Sequence, residues 1–357
     1  MQQNTITLEK LGWDAQWESS FAGFRSQGFE PARVAVEDKH HYEVMTPRGM
    51  LLAQVTGRLL HASRTVAQLP KVGDWVACSF HPDKGRAVLQ GILPRRNKLS
   101  RKVPGRQAVE QVLVANVDVA FIVQSLDRPS NPRLLERFLI MVSESGARSV
   151  IVLNKADLSA NLEVCLAEVS KVSGSAPVIP VSAKTGQAMP ALLELIRPGE
   201  TVVFLGPSGV GKSSLINRLY GDELQATTEV REGDARGRHT TTWRELILLP
   251  NGGLVIDTPG LREFHLWAAL DGLSEIFSDI EDLTVQCRFR ACTHTAEKHC
   301  AVLAAVAAGS LAQDRYDNYQ KLRRDLGFVG GKPQWWASSK SRRPYQVGGR
   351  QPRRPNY

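Results

Sequence analysis

Cysteine is scarce, five in 357 residues, and a cytosolic chain would not use them for disulfides. No apolar run approaches the ~20 residues that cross a bilayer, and the N-terminus lacks a basic-then-apolar leader. These absences predict a cytoplasmic chain with soluble partners. Acidic residues vanish after Asp325, where Lys332, Lys340, Arg342, Arg343, Arg350, Arg353 and Arg354 stand unopposed. They hold most of the net charge of +9, which leaves the rest of the chain nearly neutral. Pro333, Pro344, Pro352 and Pro355 punctuate the same stretch. It reads as a basic tail (329–357), disordered when free and suited to releasing counterions from a phosphate backbone.

What is present is a set of nucleotide boxes. Gly206-Pro207-Ser208-Gly209-Val210-Gly211-Lys212-Ser213-Ser214 fits G-x-x-x-x-G-K-[ST]. An apolar strand (Thr201 to Leu205) precedes it and a helix (Ser213 to Tyr220) follows, the context that the motif requires. At ordinary glycine usage such a match arises by chance in roughly one chain in a hundred, before context is considered. The glycines let backbone N–H groups wrap phosphates, Lys212 meets the β- and γ-phosphates, and Ser213 binds Mg²⁺. Asn154-Lys155-Ala156-Asp157 follows the buried-strand run Ser149 to Leu153, and Ser182-Ala183-Lys184 follows Val178 to Val181. A carboxylate such as Asp157 accepts from guanine N1–H and the 2-amino group, and adenine lacks that amino group. Guanine is therefore the expected base.

Asp257-Thr258-Pro259-Gly260 closes the strand Gly253 to Ile256, where Asp257 holds Mg²⁺ through water and the Gly260 N–H meets the γ-phosphate. Between the phosphate loop and this box lies Gly237-Arg238-His239-Thr240-Thr241-Thr242, the place for a switch threonine on Mg²⁺. Thr240 and Thr241 are the candidates, and spacing does not choose between them. An ordinary GTPase presents phosphate loop, DxxG, NKxD and SAK in that order. Here the base-reading pair comes first, so the chain reads as a circularly permuted GTPase domain. Arg197 to Glu200 joins the original ends. Leu261 follows Gly260 where Ras-like enzymes carry a water-orienting glutamine. His239 or a partner must then supply that function, or hydrolysis is slow; His239 and Lys212 are the candidate catalytic residues.

Before the GTPase boxes, short alternating segments run Arg33 to Val36, Tyr42 to Met45, Met50 to Leu59, Asp74 to Phe80 and Arg86 to Leu93. Glycine and proline turns separate them, which predicts a small OB-type barrel whose face binds oligonucleotides. A basic cluster, Arg95-Arg96-Asn97-Lys98-Leu99-Ser100-Arg101-Lys102 with Arg106 beyond, is either part of that face or a solvated linker. Three cysteines group as Cys287, Cys292 and Cys300 with His294 among them, a C-x4-C-x-H-x5-C pattern. In a reducing compartment this points to Cys3His zinc, with His299 an awkward substitute because it adjoins Cys300. Cys165 reads as a core residue of the helix Leu162 to Lys171.

Permuted boxes, Gly73-Asp74-Trp75-Val76 in the barrel, the Gly237–Thr242 segment and the cysteine cluster together resemble the ribosome-small-subunit-dependent GTPase A family. The similarity covers about residues 31–328. It implies an N-terminal all-β OB-fold barrel, a central permuted α/β P-loop GTPase and a mostly helical zinc-binding domain. It also implies slow GTP hydrolysis stimulated by the small (30S) ribosomal subunit, contact with that subunit's 16S rRNA, and a role in its late maturation beside other assembly factors. The expected division is an extension (1–30), barrel (31–105), GTPase (106–265), zinc domain (266–328) and tail (329–357) in a monomer carrying one Zn²⁺ and using Mg²⁺ with GTP. Trp13, Trp17, Phe21 and Phe24 place a packing helix in the extension. Glu297-Lys298-His299-Cys300 departs from the family's Glu-Pro-Gly-Cys, which puts the local turn in question. An RNA-independent signalling switch would need neither barrel nor basic tail. An RNA-binding protein with a vestigial nucleotide site would tolerate loss of Lys212 or Asp257, yet both are intact.

Overall fold

The computed structural model describes residues 6–38, 41–63, 65–81, 85–102, 110–221, 244–257, 273–274, 276–289, 292–325, 328–329 and 332–333. His239, Thr240, Thr241, Gly260 and Leu261, and tail residues 334–357, lie outside them. By contacts the chain divides at Ile276/Phe277 into two units.

Five strands near the N-terminus form the barrel: β1 (Glu30–Asp38), β2 (His41–Thr46), β3 (Gly49–Val55), β4 (Trp75–His81) and β5 (Arg86–Ile92). The ladder closes as β1-β2-β3-β5-β4-β1, with only β3–β5 parallel. Alternation predicts which side chains fill it: Val34, Tyr42, Val44, Val76 and Leu89 are buried together inside. The third strand stops earlier than its apolar pattern suggests. Thr56 accepts the Leu59 N–H through its hydroxyl and starts helix α2 (Gly57–Ala62), which leaves Leu60 on the surface.

The N-terminal segment forms helix α1 (Ala15–Arg25), capped by the Asp14 carboxylate on the Gln16 and Trp17 N–H groups. Trp13, Trp17 and Phe21 are buried, with the Trp13 and Trp75 rings 4.7 Å apart edge to face. The extension therefore completes the barrel's packing. Arg33, fully buried, donates to the carbonyls of Gly73, Leu11 and Asn116 and to the Thr201 hydroxyl. Burial pulls its guanidinium down to about 10, opposed by Asp118 and Asp74.

Within the basic cluster Arg95, Arg96 and Lys98 have acidic partners, and Arg106 lies outside the described residues. Lys98–Lys102 is strand β6, paired with β7 (Glu110–Ala115). Arg95 is bidentate on the buried Asp74 carboxylate, Arg96 stacks 4.1 Å over Trp17 and pairs with Asp14, and Lys98 pairs with Glu110. These cations are committed to intramolecular partners, which no local pattern reveals.

The GTPase sheet runs β10-β9-β8-β11-β13-β12, using β8 (Val119–Ser125), β9 (Arg148–Asn154), β10 (Val178–Pro180), β11 (Thr201–Leu205), β12 (Glu245–Leu248) and β13 (Leu254–Asp257). All neighbours are parallel except β12–β13. Apolar runs on β8 and β11 fit strands covered on both faces. Helices α3 (Pro132–Ser145), α4 (Leu162–Ser170), α5 (Met189–Glu194) and α6 (Lys212–Tyr220) supply the crossovers. For α3 the start is the Asn131 side chain accepting the Leu134 N–H, and the stop is Gly146 at φ 75°. β12 also pairs antiparallel with β1 at Val36 and Glu245, so barrel and GTPase share one continuous sheet.

The second unit holds α7 (Ser278–Thr284), α8 (Ala301–Ala307) and α9 (Gln313–Asp325) around buried Phe277, Ile280, Val302, Tyr319 and Leu322. Where the sequence suggests that the tail begins, Phe328–Val329 and Lys332–Pro333 form a short antiparallel ladder instead of free chain.

Candidate nucleotide and metal sites

Strands β9, β10, β11 and β13 each end on one of the sequence boxes, all at the carboxyl edge of the parallel sheet. That edge is where open α/β sheets bind ligands, and the strand order switches between β8 and β11, beside the phosphate loop. Gly206 has φ 141°, and a Cβ there would lie 2.4 Å from the Val123 carbonyl oxygen. Gly211, φ 95°, would place a Cβ 2.3 Å from Asn154 Nδ2. Both positions thus demand glycine. The N-cap of α6 is Gly211, so no side chain caps the first N–H groups of this helix. Lys212 Nζ donates to the Gly206 and Pro207 carbonyls at 2.8 Å each, curled along the loop that it follows. Burial lowers its pKa, and the Asp257 charge opposes that shift. Ser213 and Ser214 stand exposed at the helix start.

The Asn154–Asp157 and Ser182–Lys184 boxes are braced against this loop. Asn154 is buried; its amide donates to Val210 O at 2.8 Å and its carbonyl accepts the Ala183 N–H at 3.1 Å. It ties three motifs together through one side chain. Lys155, at φ 64°, donates from Nζ to Gly209 O at 3.0 Å and to Asp127 Oδ2 at 2.6 Å. The exposed Asp157 accepts the Ser182 hydroxyl at 2.5 Å, and Ser182 in turn accepts the Thr185 N–H. Lys184 is exposed next to this pair. Of the residues singled out from the sequence, the structure brings together Asn154, Lys155, Asp157, Ser182, Ala183 and the whole Gly206–Ser214 loop, with Asp257 within electrostatic range of Lys212. Asp127 carries no motif and escapes sequence reasoning; its only signal is a carboxylate two residues past a buried strand.

In the second unit, Cys287, Cys292, His294 and Cys300 bring their donor atoms within 4.8 Å of one another. His294 Nδ1 lies 3.5 Å from Cys287 Sγ and 3.4 Å from Cys300 Sγ, and the two sulfurs are 3.8 Å apart. Four such donors, three of them buried, could hold a metal ion. Burial lowers the His294 pKa with Arg323 adding to it, which favours the neutral ligand form. Burial also pushes the Cys292 thiol up to about 12, a cost that a bound cation reverses by stabilising thiolates. Around the cluster, Tyr316 and Gln320 donate to His294 O, and Glu297 accepts N–H groups from Thr293, Thr295 and Ala296.

His299 lies outside this set of donors, exposed and at φ 64°. The turn survives the departure from Glu-Pro-Gly-Cys by holding histidine in a left-handed conformation that suits glycine. Replacing His299 by Gly should therefore raise the unit's stability by about 1 kcal/mol or less, the left-handed strain minus glycine's unfolded-state entropy. A thermal melt of the two proteins checks this; a lower midpoint for the variant would refute it.

With the geometry established, known proteins can be compared. A family model described as RsgA GTPase matches residues 92–267. The small ribosomal subunit biogenesis GTPase RsgA of Opitutus terrae is 45% identical over 333 residues, covering 91% of each chain. This chain belongs to the RsgA GTPase family. A Methanosarcina acetivorans relative with the same printed name is 40% identical, covering 90% of this chain and 86% of that one. Among solved structures, YjeQ from Thermotoga maritima matches with a TM-score of 0.58 and 28% identity over 84% of this chain and 98% of that one. YloQ, described as a circularly permuted GTPase, gives 0.55 and 27%, covering 84% and 95%. The RsgA-family chain is accordingly a GTP-hydrolysing enzyme with a closed barrel and a permuted GTPase sheet.

Proposed function

We propose that this RsgA-family enzyme acts on the small (30S) ribosomal subunit, binding its 16S rRNA and assisting late maturation in the cytoplasm. The observation that carries the reading is the shared sheet: an oligonucleotide-type barrel hydrogen-bonded through β1 to β12, the strand that follows the switch segment of the GTPase. Its relatives, small ribosomal subunit biogenesis GTPases, support it. A signalling switch has no use for that barrel. The basic tail supplies cations for phosphates, while Arg95, Arg96 and Lys98 already pair with acids. The protein works as a monomer beside other assembly factors.

In this reading, the Gly206–Ser214 backbone wraps the phosphates, Lys212 contacts the β- and γ-phosphates, and Ser213 with Thr240 or Thr241 binds Mg²⁺. Asp257 reaches Mg²⁺ through water and the Gly260 N–H meets the γ-phosphate. Asp157 reads guanine, with Ser182, Ala183 and Lys184 along the base. The metal is one zinc ion. Zn–S bonds of about 2.3 Å and Zn–N bonds of about 2.0–2.1 Å in a tetrahedron give edges of about 3.8 Å and 3.5 Å. Cys287, His294 and Cys300 meet those edges at 3.8, 3.5 and 3.4 Å, and Cys292 completes a set that lies within 4.8 Å.

GTP hydrolysis with and without small subunits tests the proposal. The free enzyme should turn over slowly because Leu261 cannot orient water. Subunits should accelerate it, and His239→Ala should keep GTP and subunit binding while lowering the stimulated rate by about 10²-fold. An unstimulated wild type would refute the function. Full stimulation of the variant would move the water-positioning role from His239 to the ribosome.

A further inference from the structure

We propose that Asp127, which lies outside every nucleotide box, is a positioning residue of the GTP site that slows nucleotide release. The sheet order places the end of β8 beside the phosphate loop, and Asp127 follows that strand by two residues. Its Oδ2 accepts the Lys155 ammonium at 2.6 Å, and Lys155 also donates to Gly209 O of the loop at 3.0 Å. Its Oδ1 accepts the Ser125 hydroxyl at 2.6 Å and Arg128 Nε at 3.3 Å. Ser125 is buried, so the carboxylate is aimed from a fixed point of the core. The Lys155 and Ser125 hydrogen bonds hold the carboxylate well below the usual range, so it is ionised throughout neutral pH.

Lys155 needs this help. It sits at φ 64° with a long flexible side chain, and a lysine left to itself samples many rotamers. Fixing its ammonium between Asp127 and Gly209 O closes a bridge from β8 through the base-reading box to the phosphate loop. A bound nucleotide spans the same two boxes from base to phosphate. Opening the bridge therefore loosens both ends of its cradle together, and Asp127 governs how often it opens.

The inference rests on assigning Lys155 and the Gly206–Ser214 loop to the nucleotide. Release of a fluorescent N-methylanthraniloyl-GDP from the full-length protein tests it. Asp127→Ala should speed release by about three- to tenfold, the range for a solvent-accessible ion pair with added hydrogen bonds. KM for GTP should rise more than kcat falls. Asp127→Asn, which still accepts hydrogen bonds but carries no charge, should fall between wild type and Asp127→Ala. Ser125→Ala should show a smaller acceleration, because the charge remains and only its aim is lost. Raising the ionic strength from about 0.05 to 0.5 M should narrow the gap between wild type and Asp127→Ala, since salt screens an accessible pair. Unchanged release in Asp127→Ala would overturn the proposal, as would a gap that salt does not narrow. Lys212→Ala keeps the two ideas separate. Lost GDP binding in Lys212→Ala together with unchanged release in Asp127→Ala sinks this proposal alone. Intact binding in Lys212→Ala sinks the site assignment and the proposal with it.

Discussion

Stripping the metal from the Cys287–Cys292–His294–Cys300 cluster is expected to unfold the second unit locally, from about Ser278 through Ala307. Between Thr284 and Ala301 the chain has no helix or strand among its described residues; besides the four donors it is organised by turn hydrogen bonds, the Glu297 carboxylate and side-chain bonds from α9. Structural zinc contributes about 10–16 kcal/mol in small domains, more than a segment of this size recovers by packing. The protein as purified without chelator should contain one equivalent of zinc. A strong chelator, or Cys292→Ala or His294→Ala, should remove it and collapse hydrogen-exchange protection of the amides of α8. Protein that contains no metal by elemental analysis, or that keeps those amides protected after chelation, would overturn the assignment. Cys300 has a second role, since its sulfur accepts the Leu303 N–H and caps α8. Its replacement should therefore cost the helix start as well as the ion.

The second large effect belongs to the base. Asp157→Asn should weaken GTP binding by about 10²–10⁴-fold, because an amide cannot accept from both guanine N1–H and the 2-amino group. The same change should improve binding of xanthosine triphosphate, whose 2-carbonyl matches the new N–H donor. That reversal separates lost recognition from lost structure. The Ser182 hydroxyl, bonded to Asp157, can still donate to the amide oxygen, so the local turn should hold. GTP affinity equal to wild type in Asp157→Asn would end the base-reading role of this carboxylate.

The candidate nucleotide boxes were legible because such chemistry demands fixed residues at fixed spacing, and the strands that carry them because burial on both faces announces itself as apolar runs. Thr201 to Leu205 is one such run, and the structure returns it unchanged as β11. The barrel was legible by alternation, except where local hydrogen bonding outweighed it: Thr56 ends β3 and begins α2 inside the stretch Met50 to Leu59 that reads as one strand. Charges told less. Arg95, Arg96 and Lys98 look like a nucleic-acid patch only while Asp74, Asp14 and Glu110 are read as distant in the chain. Folding brings each of these three acids to its base. Asp127 stayed hidden for a related reason, since β8 and β11 become neighbours only through the crossover order of the sheet. His299 was flagged by its departure from a pattern, yet whether the turn would survive depended on a backbone angle that sequence does not state.

The pairing of Val36 with Glu245 also limits how the enzyme can move. β12 is held on one side by β13 and on the other by the barrel, with Leu246 buried and Glu245, Ile247 and Leu248 half-buried. A slip of one position would turn Leu246 outward and bring Glu245 or Ile247 to its place, inverting both faces at once. Sliding is thus closed off as a small motion. What stays open is a tilt of the strand with its ladder intact. A change in the tilt of β12 must therefore be matched at Val36 of the barrel or break the pairing there.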